Sequence, residues 1–133
     1  MLPVSSPVSN SAHSMLIVDD SLVIRNRIAK LVADPRLPHI NIAGLAPNGA
    51  VALRLAREHA PNLVTMDLTM PELDGEACIE GIIAHLPETR ILVVSALADK
   101  ATALRAIRKG ASGFLHKPFT DDDLLDSLLQ LIQ

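Results

Sequence analysis

The sequence predicts an α/β domain in which one five-stranded parallel sheet carries helices on both faces. Three observations predict it. From Ser14 onward, short aliphatic runs alternate with amphipathic stretches five times over. The runs are continuous and rich in β-branched residues, as expected of strands covered on both sides. Their spacing leaves room for a helix between each pair, and parallel neighbours need such a right-handed crossover.

The strands are predicted at Met15–Val18, Ile40–Leu45, Leu63–Met66, Arg90–Ser95 and Gly113–His116. The first helix runs from Ser21 to about Ala33, with Ile24, Ile28 and Leu31 on one face. The second starts at an Asn48 cap and turns Val51 and Leu55 inward. The third begins near Asp74. The fourth spans Asp99 to Lys109 and is stopped by Gly110. Thr120-Asp121-Asp122-Asp123 is a capping-box pattern that opens the last helix, which buries Leu124, Leu128 and Leu131.

A chain of 133 residues suits one domain with a real core, and no stretch is left over for a second. Apolar residues make up 49% of it, almost all aliphatic: there are two Phe and no Trp or Tyr. The net charge of -3 offers no general attraction to nucleic acid or to an anionic membrane. One cysteine, Cys78, rules out an internal disulfide and a cysteine zinc site, and reads as a half-buried helix residue. Residues 1–13 are rich in Ser, Pro and Asn, have no basic start and no apolar run, and read as a flexible lead rather than a secretory signal. The domain proper is expected over 14–133. No apolar run approaches the roughly 20 residues that span a bilayer, so the cytoplasm is the expected compartment.

The chemistry is concentrated where strands stop. Asp19 and Asp20 follow the first strand, Asp67 the third, Ser95 ends the fourth, and Lys117 follows the fifth. In a parallel sheet these positions share the carboxyl edge, where open α/β sheets bind ligands. Singly, each has a plain reading: Asp19 and Asp20 as helix caps, Asp67 as a turn residue, Lys117 as a solvated lysine, Ser95 as a cap of the fourth helix. Together they are far more specific. Clustered carboxylates repel one another and recruit a hard divalent cation such as Mg2+, which favours oxygen ligands. An exposed aspartate beside such a cation and a lysine makes a phosphoryl-accepting site.

At these residues the chain resembles the receiver domain of two-component response regulators. The matching segments are Val18-Asp19-Asp20-Ser21, Met66-Asp67-Leu68-Thr69-Met70-Pro71 with Asp74-Gly75, Val94-Ser95-Ala96, and Gly110 through Phe119. The resemblance covers about residues 14–133 and implies the flavodoxin-like strand order 2-1-3-4-5. It implies that Asp67 accepts the phosphoryl group. Asp20 would ligate Mg2+ directly, Asp19 mostly through water, and Thr69 through its backbone carbonyl. Lys117 would pair with Asp67 and then with the phosphoryl group, ahead of a cis bond to Pro118. Ser95 and Phe114 match the hydroxyl and aromatic pair that switches the surface of the fourth helix, fifth strand and fifth helix. Thr69 and Leu97 occupy positions that influence phosphoryl lifetime. Neither carries a carboxylate or amide to hold an attacking water, so slow self-dephosphorylation is expected.

Partners follow from the same resemblance: a histidine kinase or phosphotransfer protein as donor and a downstream protein as target, with the chain itself a monomer or weak dimer. The switching surface carries Lys100, Arg105, Arg108, Lys109 and His116, which read equally as a solvated helix face. Leu22 and Val23, off the inward face of the first helix, suit docking of a donor helix. A relay or phosphate-sink role is the alternative to target binding. A haloacid-dehalogenase-like phosphatase would need a second aspartate where Thr69 stands. A receiver-like interaction module would need none of the site residues that are present. The five histidines show no metal spacing, and no Gly-rich nucleotide loop opens a helix.

Overall fold

The computed structural model describes residues 13–70, 73–97 and 99–133. Residues 1–12, the bulk of the expected lead, lie outside it, as does the turn residue Pro71. The chain order is β1 (His13–Val18), α1 (Leu22–Leu31), β2 (Ile40–Ala46), α2 (Gly49–His59), β3 (Leu63–Met66), α3 (Gly75–His85), β4 (Arg90–Ser95), α4 (Lys100–Lys109), β5 (Gly113–His116) and α5 (Asp121–Ile132). All strand pairs are parallel, in the order β2-β1-β3-β4-β5.

The alternation of side chains along each strand divides the core in two. Leu16 and Val18, Val64 and Met66, and Ile91 and Val93 pack with Cys78, Ile79 and Ile82 of α3, Ala52 and Ala56 of α2 and Ala106 of α4. Met15 and Ile17, Leu63, and Leu92 and Val94 pack with Ile28 of α1 and Leu124, Leu125, Leu128 and Leu131 of α5. Both faces of the central strands are therefore apolar. The edges differ from the sequence expectation: in β2, Ile42 and Leu45 are exposed, because β2 is an edge strand with no further strand paired to it among the described residues.

Element boundaries follow local chemistry. β1 begins at His13, ahead of the expected Met15, because His13 pairs with Ile40 and the Ser14 N–H donates to Asn62 Oδ1 at 2.8 Å. α1 ends at Leu31 rather than Ala33. There the chain tightens, with Ala33 N–H reaching Lys30 O, and Pro35 follows, which disfavours helix just before it. In α2 the buried residues are Gly49, Ala52 and Ala56, with Val51 and Leu55 partly buried against the core. Cys78 is wholly buried, not half-buried, and burial pushes its thiol up to about 12, which makes it inert. Asn48, Asp74, Asp99 and Thr120 each cap a helix by accepting a backbone N–H, and Thr120 with Asp123 forms the full capping box. Gly110 ends α4 with φ 122°, a conformation that only glycine takes without strain.

Candidate functional site

The parallel order brings the ends of β1 and β3 side by side, since Val18 pairs with Met66. Asp19 and Asp67 come directly after these two strands, and both are buried, 1% and 4% exposed, so the acceptor is not the exposed aspartate the sequence suggests. Backbone bonds continue the ladder into the loops: Asp67 N–H donates to Val18 O, and Asp19 N–H to Ala46 O. Asp20 is exposed beside them, and one carboxylate oxygen from each of the three aspartates lies within 4.8 Å of the others. Lys117 enters from β5, its Nζ 2.8 Å from Asp19 Oδ2 and 3.7 Å from Asp67 Oδ2. The lysine is thus shared, and nearer to Asp19 than to Asp67. Its own backbone N–H donates to Ser95 O at 2.8 Å, and the Lys117–Pro118 bond is cis.

The two buried aspartates are not equivalent. Asp19 is well partnered: Oδ1 accepts the Ser21 N–H at 2.9 Å while Oδ2 takes Lys117. Among the described residues, Asp67 has the distant lysine and a long 3.4 Å bond from the Thr69 N–H. Burial, and next the charge of Asp19, push the Asp67 carboxyl up to about 6, against the opposing pull of Lys117 and the Thr69 N–H. A buried, weakly partnered carboxylate beside two further carboxylates and one ammonium is, among the described residues, short of positive charge. That donor set, all hard oxygen, suits Mg2+.

Asp67 and Leu68 are held against the start of α3 by close approach. Gly75 N–H donates to Leu68 O, and a Cβ on Gly75 would collide with the Asp67 carbonyl oxygen, so the start of α3 can lie against this loop only as glycine. Ser95 is fully buried, its Oγ accepting the Leu97 N–H at 3.0 Å, whereas Asp99 takes the cap of α4 that Ser95 was free to take. Phe114, opposite Val93 in the sheet, is half-buried and packs on the side of Ala106 and Ala111. Thr69 and Leu97 are exposed near the site, and Leu22 and Val23 stand out from α1, 60% and 74% exposed.

The comparison with known proteins decides what this arrangement is. The family profile described as the response regulator receiver domain matches residues 15–129. The chain belongs to the response regulator receiver family. As a receiver domain, it carries its phosphoacceptor site in this aspartate cluster. It is 37% identical over 117 residues to the chemotaxis protein CheY of Bacillus subtilis, covering 88% of this chain and 95% of that one. It is 36% identical over 108 residues to a protein-glutamate methylesterase/protein-glutamine glutaminase of Pseudomonas aeruginosa, of which it spans only 30%. Among solved structures, a chain of the CheX-CheY-BeF3-Mg complex from Borrelia burgdorferi superposes with a TM-score of 0.85 at 27% identity, over 91% of this receiver and 90% of that chain.

Lys100, Arg105, Arg108 and His116 are exposed, but not all are free. Arg105 pairs with Glu76 of α3 at 3.2 Å, and Lys109 with Glu80 at 3.0 Å. Sequence reasoning missed two arginines of α1. Arg25 donates from Nη1 to the Asp19 carbonyl at 2.6 Å, and Arg27 reaches the loop beyond Lys117. Their only signal was position, a cation on the flank of α1 within two turns of the acidic pair.

No helix among the described residues is long and apolar enough to cross a membrane.

Proposed function

We propose that Asp67 accepts a phosphoryl group from a phosphohistidine on a kinase or phosphotransfer protein, in a Mg2+-dependent reaction in the cytoplasm. The observation that carries this reading is the under-partnered, buried carboxylate of Asp67, set beside two further carboxylates and an ammonium. Asp19, Asp20, Asp67 and the Thr69 carbonyl would hold the metal. When bound, Mg2+ supplies positive charge to the transferring phosphoryl oxygens. Asp67 enters as the carboxylate: its oxygen forms the new O–P bond while the P–N bond to the donor imidazole breaks, the electron pair leaving with the nitrogen. Lys117 supplies a second positive charge, and its link to the Ser95 carbonyl ties that charge to the end of β4.

Leu22 and Val23 beside the acceptor give the donor an apolar foothold. On phosphorylation the Ser95 hydroxyl exchanges the Leu97 N–H for a phosphoryl oxygen, and Phe114 turns inward as α4 adjusts. This is a population shift biased by contacts that only the phosphorylated form offers. The surface of α4, β5 and α5, with Lys100, Arg105, Arg108 and His116, then takes up a protein target. The likeness to CheY over nearly the whole of that protein supports signalling by docking of the receiver surface itself.

The test is incubation of the protein with acetyl phosphate and Mg2+. A phosphoryl adduct on Asp67, removed by hydroxylamine and absent without the metal, is expected. Folded protein that takes up no phosphoryl group overturns the reading. With Thr69 and Leu97 in place, the adduct should decay over minutes or longer without a phosphatase. A phosphorylated form that finds no target but returns its group to a histidine protein would instead make the chain a relay.

A further inference from the structure

Arg27 lies on α1 one turn after Val23, and its guanidinium grips the segment that follows Lys117. Nη2 donates to the Phe119 carbonyl at 2.8 Å. Nη2 and Nε both reach Asp121 Oδ1, at 2.8 and 3.2 Å. The guanidinium carbon also lies 4.3 Å from the centre of the Phe119 ring. Phe119 is itself buried in the cluster that contains Ile28 and Leu124. A planar fork can serve a carbonyl, a carboxylate and a ring face at once, which a single ammonium cannot.

This grip falls on one side of Lys117. On the other, the Lys117 N–H is tied to Ser95 of β4. Lys117 is therefore suspended between β4 and α1, and where its backbone sits decides where a flexible four-carbon stem delivers its ammonium. α1 is also the helix that presents Leu22 and Val23. We propose that Arg27 is a positioning residue for phosphoryl transfer: it clamps the Lys117-Pro118-Phe119 loop to the donor-docking helix and so holds Lys117 in register with Asp67. The inference rests on the assignment of Lys117 as the ammonium partner of the phosphoryl group.

A merely structural arginine would lower transfer by the same factor whatever stands at position 117. A positioning arginine acts through the lysine. The experiment is a double-mutant cycle on the intact chain, with acetyl phosphate as donor and the maximal rate read at saturating Mg2+. Arg27→Gln should lower that rate about tenfold, as slight misplacement of a reacting group does. The Mg2+ concentration for half-maximal rate should stay unchanged. In a Lys117→Ala background, Arg27→Gln should cause no further loss. Arg27→Lys should not restore the rate. Asp121→Asn, on an exposed side chain whose loss leaves the core intact, should reproduce part of the effect, again only with Lys117 present.

An equal loss in both backgrounds, or wild-type rates for Arg27→Gln, would overturn the proposal. Were Lys117→Ala itself as fast as the wild type, the assigned role of Lys117 would fall, and this inference with it.

Discussion

Helices α4 and α5 flank the same strand, β5, yet they are held very differently. α5 buries Leu124, Leu125, Leu128 and Leu131. Its first turn is closed by the capping box, and Asp121 and Asp122 reach Arg27 and Arg36. At its other end Arg90 Nη1 lies within 2.9 Å of the carbonyls of Leu131, Ile132 and Gln133, which gives the helix the C-terminal cation its own sequence lacks. α4 buries only Thr102 and Ala106, and leaves Leu104 and Ile107 55% and 46% exposed. Beyond the packing of Ala106, its ties to α3 include the ion pairs of Arg105 and Lys109, which contribute little. A segment with few buried apolar groups opens and shifts at low cost. The difference teaches where a signal can emerge: Ser95 and Phe114 sit beneath the loosely held helix, while Lys117 is anchored toward the firmly held one.

The largest effect should come from removing the acceptor. Asp67→Asn should abolish phosphoryl incorporation from acetyl phosphate, since a neutral amide is a poor nucleophile. In the wild type, phosphorylation should change amide hydrogen exchange along α4 and leave the buried face of α5 nearly unchanged. Asp67→Asn should show neither change. Slower or faster exchange spread equally over both helices would break the contrast.

Core truncation separates the two helices energetically. Leu128→Ala should cost about 3 kcal/mol of unfolding free energy, in the usual range for a fully buried leucine. Leu104→Ala should stay within about 0.5 kcal/mol, as exposed positions do. Urea titration of both variants measures the pair. If the Leu104 variant lost as much as the Leu128 one, α4 would be far better anchored than its burial indicates.

Most of this contrast was legible in the sequence. The leucines of α5 fall at helical spacing behind a capping pattern, and Gly110 marks the end of α4. The four charged groups of the site could be placed because each follows an aliphatic run, and a parallel sheet puts those ends together. What could not be read is which cation meets which anion. Asp121, Asp122 and Asp123 look alike in the sequence, yet one pairs with Arg27, one with Arg36 and one closes the capping box. Such pairings depend on how α1 and α5 lie across the sheet, a distance of more than ninety residues along the chain for Arg27 and Asp121. The same holds for Lys117, whose nearer partner is Asp19, and for β2, whose run resembles a covered strand until the sheet order leaves it at the rim.

Neither helix carries the charge that weakens the fold near neutral pH; the site at the ends of β1 and β3 does. In metal-free protein the Asp67 carboxyl titrates at about 6, above its ordinary 3.8, because burial and Asp19 disfavour the charged form. The folded state then binds the proton more tightly than the unfolded chain. Its stabilising effect is fully present below about pH 4 and is lost as pH rises through about 6. Asp67→Asn should remove that fall, so that at pH 7 the variant is the more stable protein and near pH 4 the advantage is gone. Denaturation at both pH values without metal, compared between the two chains, checks the sign. Saturating Mg2+ should shrink the gap at pH 7 by neutralising the wild-type carboxylate.

The firmly held side has one flaw of its own. Among the described residues, the Thr65 hydroxyl is the one fully buried side-chain polar atom without a hydrogen-bond partner. Alternation along β3 sends it, like Leu63, toward the layer of α1 and α5, among apolar neighbours. An unmet buried hydroxyl is costly, whereas a methyl of the same shape is not. Thr65→Val should therefore raise the unfolding free energy by about 1 kcal/mol. The burial contrast predicts that α5 exchanges its amides by global unfolding and α4 by local opening, so the gain should slow exchange in α5 alone. A variant that slows both helices equally would mean that they unfold as one unit. A variant less stable than the wild type would mean that a bound water already satisfies the hydroxyl.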